Sequence, residues 1–177
     1  LKTKPATPYT LTAILLPTIP GVDGIGGGIL VRDSADGHMT GINFTFFTGA
    51  HRLLVSHSVS PTDSGTNVST SMLECNVSAP AIWLRIYDDG ADLTYSFSLD
   101  GANFLDVFTT SYADAGVEGA DQIGFGLNVN NTTYEAGLTL IHWSQPNPVS
   151  TMRAWGFLLG SGMVSAYGSG DVRGAFG

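Results

Sequence analysis

The sequence predicts an all-β fold in which two antiparallel sheets pack face to face as a sandwich. Its 177 residues are enough for one domain with a sizeable core. Apolar and polar residues alternate in many short runs, as they do in strands with one buried face. Turn residues separate these runs roughly every 8–15 residues, near the spacing typical of β-sandwiches. Glycine is frequent, at 23 residues, and only 12 % of residues are charged.

The stretch 81–104 shows this pattern most clearly. A first strand over 82–87 places three aliphatic residues on one face and three polar or aromatic residues on the other. The acidic turn 88–92 follows, and a second strand over 93–99 leads into the Asp100-Gly101 turn. The hairpin therefore has one apolar face and one polar-aromatic face. The two sets of the first strand are Ile82, Leu84 and Ile86, and Trp83, Arg85 and Tyr87.

The same alternation predicts the remaining strands. Pro17 and Pro20 are expected to end the first strand, because proline cannot donate to the ladder. The glycine-rich stretch 21–28 is predicted as a loop, since its spacing matches neither the dinucleotide fingerprint nor the P-loop. The stretch 111–120 is also predicted as a loop. The predicted strands outside the hairpin are 9–16, 28–33, 40–48, 52–60, 72–78, 104–110, 122–129 and 137–143.

Composition divides the chain into three parts. Residues 1–8 are predicted to be a lead-in or linker, and residues 9–145 the β-sandwich domain. Residues 146–177 are rich in glycine but carry apolar residues, among them Trp155 and Phe157, that a flexible linker would not have. This C-terminal extension is predicted to pack, either as a docking or oligomerisation arm or as an extra edge strand.

Charge argues against several partners. The formal net charge is −8, and both lysines, Lys2 and Lys4, lie near the start of the sequence. Nucleic-acid binding relies on basic residues that neutralise phosphates, so no nucleic acid is expected as a partner. No apolar run is long enough to predict membrane insertion. The single cysteine, Cys75, is expected to be a small buried apolar residue.

Three motifs, in order, resemble those of the concanavalin A-like (laminin G-like) jelly-roll superfamily. They are WLRIYDDG over 83–90, LTYSFSLDGANF over 93–104 and QIGFGLNV over 122–129. The resemblance spans residues 9–143 and implies a two-sheet jelly roll. Members of the superfamily often bind carbohydrate on the concave face, some with calcium, and some relatives are glycosidases. The matching residues are Trp83, Arg85, Ser98, Asp100, Gly101 and Phe104, where family members often have Trp in place of Phe104.

The catalytic groups of a glycosidase are not evident. Glycoside hydrolysis uses two carboxyl groups beside the scissile bond, and glycosidase relatives with this fold usually carry them on an E-x-D-x-x-E strand, which this chain lacks. Neither a serine-hydrolase elbow nor a zinc-ligand spacing of histidines occurs. The sequence therefore predicts that the protein is not an enzyme. Asp106, in mid-strand, and Glu135 are the acids to test for a hidden activity.

The polar-aromatic face of the hairpin is the predicted binding surface, because sugars stack on aromatic rings and pair their hydroxyls with polar side chains. Alternatively, Trp83 packs beneath a loop or the C-terminal extension and Arg85 pairs with an aspartate. No cofactor is predicted, although the acidic turn offers oxygen ligands for calcium; aspartates that only cap the turn are the alternative. The candidate ligand-binding residues are Trp83, Arg85, Tyr87, Asn43, Thr45 and Asn128, and the candidate calcium ligands are Asp88, Asp89 and Asp92.

These observations favour a non-catalytic carbohydrate-binding or attachment module within a larger virion or cell-surface assembly. The expected partners are glycan and other protein subunits, including copies of the same chain. The expected location is extracellular, at the cell surface or on a virion. The alternative is a purely structural component of a shell, fibre or tail, and a glycoside hydrolase or lyase is the third hypothesis.

Overall fold

A computed structural model of the protein describes residues 1–60, 68–74, 81–129, 135–145, 163–167 and 171–175. It confirms the predicted all-β fold, because two antiparallel sheets form a jelly-roll-like sandwich. The chain divides into two compact units, Leu1–Gln145 and Pro146–Gly177. The sandwich lies in the first unit.

The first unit contains eleven described strands and one short helix. The strands are β1 (Lys2–Thr3), β2 (Tyr9–Thr18), β3 (Ile25–Arg32), β4 (Met39–Phe47), β5 (Ala50–Ser58), β6 (Val68–Glu74), β7 (Ile82–Asp88), β8 (Asp92–Ser98), β9 (Leu105–Ser111), β10 (Gln122–Val129) and β11 (Gly137–Ser144), and the helix is α1 (Tyr112–Ala115).

One sheet has six strands in the order β1-β10-β3-β4-β5-β6. Its centre is the meander β3-β4-β5, in which Asn43 lies opposite Gly28 on one side and Leu54 on the other. Ile42 and Phe44 are buried against the second sheet. Since side chains alternate along a strand, Asn43 between them lies on the outer surface.

The other sheet has five strands in the order β11-β2-β7-β8-β9. The meander β7-β8-β9 is the predicted hairpin with its next strand, so the alternation and the two turns place these strands correctly. Ile82, Leu84 and Ile86 are buried in the core, and Trp83, Arg85 and Tyr87 point to the outer surface.

The inner faces of the two sheets form one hydrophobic core. Three polar side chains within this core are linked by hydrogen bonds. Nδ1 of His57 lies 2.7 Å from Oγ1 of Thr40, which lies 2.5 Å from the hydroxyl of Tyr95. Tyr95 is fully buried, so its hydroxyl needs this partner. The apolar core includes Leu11, Ala13, Leu15, Ile29, Val31, Ile42, Leu53, Val55, Ile82, Leu84, Ile86, Leu93 and Ile123.

Several strand boundaries differ from the prediction, and β6 begins at Val68, four residues before the predicted strand 72–78. Pro17 does not end β2, which continues to Thr18. β7 pairs with β2 only as far as Leu15, whereas β11 continues to pair as far as Thr18. Pro17 therefore lies where β2 has β11 as its one neighbour, and the missing N–H costs no bond to β7.

The glycine-rich stretch is another difference, because β3 begins at Ile25, three residues before the predicted strand 28–33. Gly28 lies so close to β4 that a Cβ atom there would overlap the carbonyl oxygen of Ile42, and a Cβ atom at Gly26 would lie 2.5 Å from that of Thr45. These glycines are thus strand residues at which a neighbouring backbone approaches closely.

The N-terminal residues, predicted to be a lead-in or linker, belong to the first unit. β1 pairs with β10, placing Lys2 opposite Ile123. The stretch 111–120, predicted as a loop, contains α1. Ser111 caps the helix by accepting a hydrogen bond from the Asp114 N–H, and Gly116 ends it in the left-handed conformation. Four helical residues are too few to produce a periodic signal in sequence.

The second unit contains β12 (Met163–Tyr167) and β13 (Asp171–Ala175), which pair antiparallel with each other. The role of this extension, as an arm or as an edge strand, stays a prediction. Cys75 and the end of the predicted strand 72–78 lie outside the described residues. In the described part of the chain, no helix has the length and hydropathy needed to cross a bilayer.

Candidate functional site

The outer surface of the five-stranded sheet carries the polar-aromatic residues of the hairpin in three cross-strand rows. We call it the five-stranded face. The Tyr row is Thr10-Tyr87-Thr94-Thr109, the Arg row is Thr12-Arg85-Ser96-Asp106, and the Trp row is Ile14-Trp83-Ser98.

In the Trp row, a turn covers the indole of Trp83. Gly101, at φ 74°, lies over the indole of Trp83, and a Cβ atom on it would lie 2.6 Å from Nε1. Hydrogen bonds hold the turn over the ring: Asp100 Oδ1 accepts from the N–H groups of Ala102 and Asn103 at 2.9 and 2.8 Å. These bonds, led by that from Asn103, lower the pKa of Asp100. Trp83 therefore supports the turn and offers little surface to a ligand.

In the Arg row, the side chain of Arg85 is stacked on an aromatic ring from outside the row. The guanidinium of Arg85 lies over the ring of Phe104, with Cζ 3.3 Å from the ring centroid. Its Nε donates to Oγ1 of Thr12 at 3.4 Å. Next to it, Ser96 Oγ donates to Asp106 Oδ1 at 2.8 Å. Burial lowers the pKa of Arg85, and the nearby Asp106 opposes this effect. The stack fixes the plane of the guanidinium.

The Tyr row is open to solvent. Tyr87 is 42 % exposed, which is high for an aromatic residue in the middle of a sheet. Hydroxyl side chains flank it on both sides, Thr10 on β2 and Thr94 on β8, and the latter is hydrogen-bonded to Thr109 at 3.0 Å. The Tyr row thus presents an aromatic ring between polar groups.

Three candidate binding residues lie elsewhere, and their predicted proximity to Trp83 is wrong. Asn43 and Thr45 belong to β4 and Asn128 to β10, all in the six-stranded sheet. Asn43 Nδ2 donates to Ser56 Oγ at 3.1 Å, and Thr45 Oγ1 donates to the Ile25 carbonyl at 2.9 Å. Side chains on the outer surfaces of two packed sheets point in opposite directions, so these residues cannot share a ligand with Tyr87.

In the acidic turn, the carboxylate of Asp89 accepts hydrogen bonds from backbone N–H groups of the turn itself. Asp89 Oδ1 accepts from the N–H groups of Ala91 and Asp92, both at 2.8 Å. These backbone bonds lower the pKa of Asp89. Among the described residues no cluster of three or more His, Cys, Asp or Glu is arranged to hold a metal ion. The geometry therefore gives no support to calcium ligation by Asp88, Asp89 and Asp92.

Asp88 is instead part of a buried cluster that the sequence did not reveal. Its side chain is completely buried, and Lys4 Nζ lies 3.1 Å from Oδ2. Lys4 also donates to the Tyr112 hydroxyl at 2.8 Å, and that hydroxyl donates to Asp88 Oδ2. Burial and this bond raise the pKa of Tyr112. An open cleft of about 450 Å³ adjoins the cluster and is lined by Lys4, Thr7, Tyr112 and Glu118, among others.

The two acids considered for hydrolysis are far apart. Asp106 is on β9, at one edge of the five-stranded sheet, and Glu135 precedes β11, at the other edge. Four strand spacings separate these edges, about 19 Å at the usual distance between strands. Paired glycosidase carboxylates lie within about 10 Å of each other. Asp106 and Glu135 therefore cannot act as one pair.

The fold and this face define a β-sandwich domain with a polar-aromatic sheet surface. No protein-family model matches the chain, and no curated protein matches it. Among solved structures it is similar to a functionally unknown protein from Saccharomyces cerevisiae, with 18 % identity and a TM-score of 0.64. That match covers 84 % of this chain and 73 % of the yeast chain.

The chain is also similar to two GH43 proteins. One is BlXynB from Bacillus licheniformis, with 12 % identity, a TM-score of 0.63 and coverage of 78 % of this chain. The other is the xyloglucan PUL GH43B of Bacteroides ovatus, with 18 % identity, a TM-score of 0.57 and coverage of 79 %. This chain spans 27 % and 26 % of their lengths, about a quarter. At these identities the likeness is one of fold.

The prediction that the protein is not an enzyme is corrected by these likenesses, because the fold occurs within GH43 glycoside hydrolases. The prediction rested on the absence of an E-x-D-x-x-E strand. That strand belongs to one kind of glycosidase site, and its absence carries no information about a sandwich that matches a quarter of a GH43 chain. The likeness assigns no activity to this chain.

Proposed function

We propose that the five-stranded face binds carbohydrate. The observation that carries the proposal is the position of Tyr87, an exposed ring between hydroxyl side chains and beside the guanidinium of Arg85. The C–H face of a sugar packs on such a ring, and its hydroxyls exchange hydrogen bonds with Thr10 and Thr94. The fold likeness to GH43 proteins supports the same class of ligand.

This proposal retains only some of the residues that the sequence predicted to bind the ligand. Tyr87 is the stacking surface, Arg85 is a donor, and the threonines of the Tyr row are donors and acceptors. Trp83 has a supporting role, since the Gly101 turn covers it. Asn43, Thr45 and Asn128 take no part.

We further infer that the sandwich is a divergent concanavalin A-like domain that acts as part of a larger protein or assembly. The motifs over 83–90, 93–104 and 122–129 occur in the expected order on β7, β8 and β10. The short span relative to the GH43 chains supports the second statement. An extracellular, cell-surface or virion location and self-association through residues 146–177 belong to this proposal.

A glycan-array screen tests the proposal, with bound glycans then measured by calorimetry. Wild type is compared with Tyr87→Ala and with Phe47→Ala, which removes an exposed ring, 37 % accessible, from the other sheet. We expect Tyr87→Ala to weaken binding about 5- to 30-fold and Phe47→Ala to retain it, because stacking on a ring contributes of order 1–2 kcal/mol. The same incubations are assayed for new reducing ends, which measures hydrolysis directly.

Equal binding by wild type and Tyr87→Ala would place any sugar site elsewhere and overturn the proposal. Absence of glycan binding by wild type would also overturn it. In that case a stable oligomer in light scattering would favour the structural alternative, a shell, fibre or tail component.

A further inference from the structure

We propose that Arg85 makes the five-stranded face selective for sugars that carry a carboxylate, as uronic and sialic acids do. This inference rests on the proposed carbohydrate binding and names the class of ligand. It depends on the geometry of Arg85, on its free donors and on the charges around it.

The guanidinium is held in one plane before any ligand arrives. On one side of the guanidinium, the ring centroid of Phe104 lies 3.3 Å from Cζ of Arg85. Oγ1 of Thr12 accepts a hydrogen bond from Nε at 3.4 Å. An unsupported arginine would have to lose rotamer freedom on binding. Arg85 has already lost much of that freedom, so more of its interaction energy is available for the ligand.

The terminal nitrogens of Arg85 are available as donors. In the part of the chain that the structure describes, its one side-chain hydrogen bond uses Nε, and it forms no ion pair. A planar guanidinium with two terminal N–H groups matches the two oxygens of a carboxylate. The free edge of Arg85 is therefore suited to an acidic group on a sugar.

Among the described residues no carboxylate forms an ion pair with this guanidinium, although Asp106 lies near enough to affect its pKa. Asp106 is the acidic side chain of the Arg row, and it accepts from Ser96 instead of pairing with Arg85. The other cross-strand neighbours in the Tyr row and the Arg row carry neutral hydroxyl groups. They are Thr10, Thr12, Thr94, Ser96 and Thr109. A ligand carboxylate would supply the ion pair that the described side chains do not make with Arg85.

A purely structural role for Arg85, as packing for Phe104, makes a different prediction. Methionine keeps an unbranched stem against the ring and lacks the charge. A structural role would affect neutral and acidic sugars alike, whereas carboxylate recognition makes the loss larger for the acidic ones. The ratio of the two affinities therefore separates these roles.

The experiment uses oligomers of galacturonic, glucuronic and mannuronic acid, each beside its methyl ester, which keeps the sugar and removes the charge. Calorimetry compares wild type, Arg85→Met, Arg85→Lys and Tyr87→Ala. Lys2→Met is the control for the loss of one exposed positive charge. Circular dichroism and thermal melting confirm that each variant is folded.

We expect at least one acid to bind wild type tenfold or more tightly than its ester. Arg85→Met should bring the ratio of acid to ester affinity to about one, and Arg85→Lys should restore only part of that ratio, because an ammonium group cannot pair with both oxygens. Tyr87→Ala should weaken acid and ester alike, and Lys2→Met should match wild type.

Equal affinities for acid and ester, with binding that still depends on Tyr87, would overturn the carboxylate preference and leave the proposed carbohydrate binding intact. A preference that survives in Arg85→Met would also overturn it. Binding of neither form, nor of any neutral glycan, would overturn the proposed function itself.

Discussion

The indole of Trp83 lies directly beneath Gly101, with Nε1 only 2.6 Å from the position that a Cβ atom on Gly101 would occupy. The turn and the strand beneath it therefore meet with no room for a side chain. Gly101 also has a left-handed backbone conformation, at φ 74°. Two separate effects thus favour glycine at this position.

The first prediction separates these effects. Gly49 has a similar left-handed conformation, at φ 80°, but a Cβ atom there would meet nothing within 4 Å. Gly49→Ala should cost about 1 kcal/mol from the backbone alone. Gly101→Ala should cost about 2 kcal/mol more from the contact with Trp83. Urea unfolding measures both, and equal losses would show that the turn moves away from the indole freely.

A second pair of glycines tests the close approach of β3 and β4. Gly28 and Gly126 lie opposite each other in the six-stranded sheet. A Cβ atom on Gly28 would overlap the Ile42 carbonyl oxygen, whereas on Gly126 it would meet only Leu30 Cδ2, at 3.8 Å. Gly28→Ala should destabilise by about 2 kcal/mol or more, and Gly126→Ala by less than about 0.5 kcal/mol. Thermal melts that rank the two variants in the reverse order would contradict this reading.

The third prediction concerns the ion pair of Lys4 with Asp88. Lys4→Met leaves the fully buried carboxylate of Asp88 without its cation, and such a loss costs about 3 kcal/mol. Lys2→Met, at an exposed position two residues earlier, should change stability by less than about 0.5 kcal/mol.

The double variant Lys4→Met/Asp88→Asn tests the coupling directly. It should be more stable than the sum of the two single losses implies, because no unpaired charge stays buried. Strict additivity in denaturant unfolding would argue against an energetic link between Lys4 and Asp88.

The fourth prediction is a pH dependence from His57. Burial lowers the pKa of His57 from its ordinary value of 6.5, and Asp114 opposes this effect. The unfolded chain therefore takes up a proton near pH 6.5 that the folded protein takes up only at lower pH. Stability should be unaffected by this group above that range and should fall as the pH decreases below about 6.5.

Chemical denaturation between pH 5 and 8 measures this slope, which for one proton is at most about 1.4 kcal/mol per pH unit. His57→Gln should flatten the curve in that window. An unchanged slope in His57→Gln would assign the effect to other groups.

The strands of the five-stranded sheet could largely be predicted, because each obeys a local rule. Ile82, Leu84 and Ile86 alternate with polar-aromatic residues, and Asp100-Gly101 marks the following turn. Gly26 and Gly27 could not be assigned to a strand, since the reason for glycine there is a neighbouring strand whose residues are distant in sequence. The prediction that Pro17 ends the first strand was wrong for a related reason. β7 pairs with β2 only as far as Leu15, so the missing N–H of Pro17 costs no bond to β7. The sequence does not show where that pairing ends.

The site could be predicted only within one hairpin. Trp83, Arg85 and Tyr87 follow from alternation, but which of them is covered depends on the Gly101 turn and on Phe104. The placement of Asn43 and Asn128 required knowing which sheet each strand joins, which alternation does not encode. The Lys4-Asp88-Tyr112 cluster joins positions 84 and 108 residues apart, and no local pattern reports such a contact.

Three strands of the five-stranded face, β7, β8 and β9, come from one unbroken segment of the chain, residues 82–111. A single exchange of that segment would replace most of the five-stranded face at once. For the exchanged piece to pack on the opposite sheet, its inward residues would have to keep the aliphatic set, the hydroxyl of Tyr95 that contacts Thr40 and the carboxylate of Asp88 that pairs with Lys4. Exchange of this one segment would therefore change the outer surface of three strands and leave the other eight described strands of the first unit as they are.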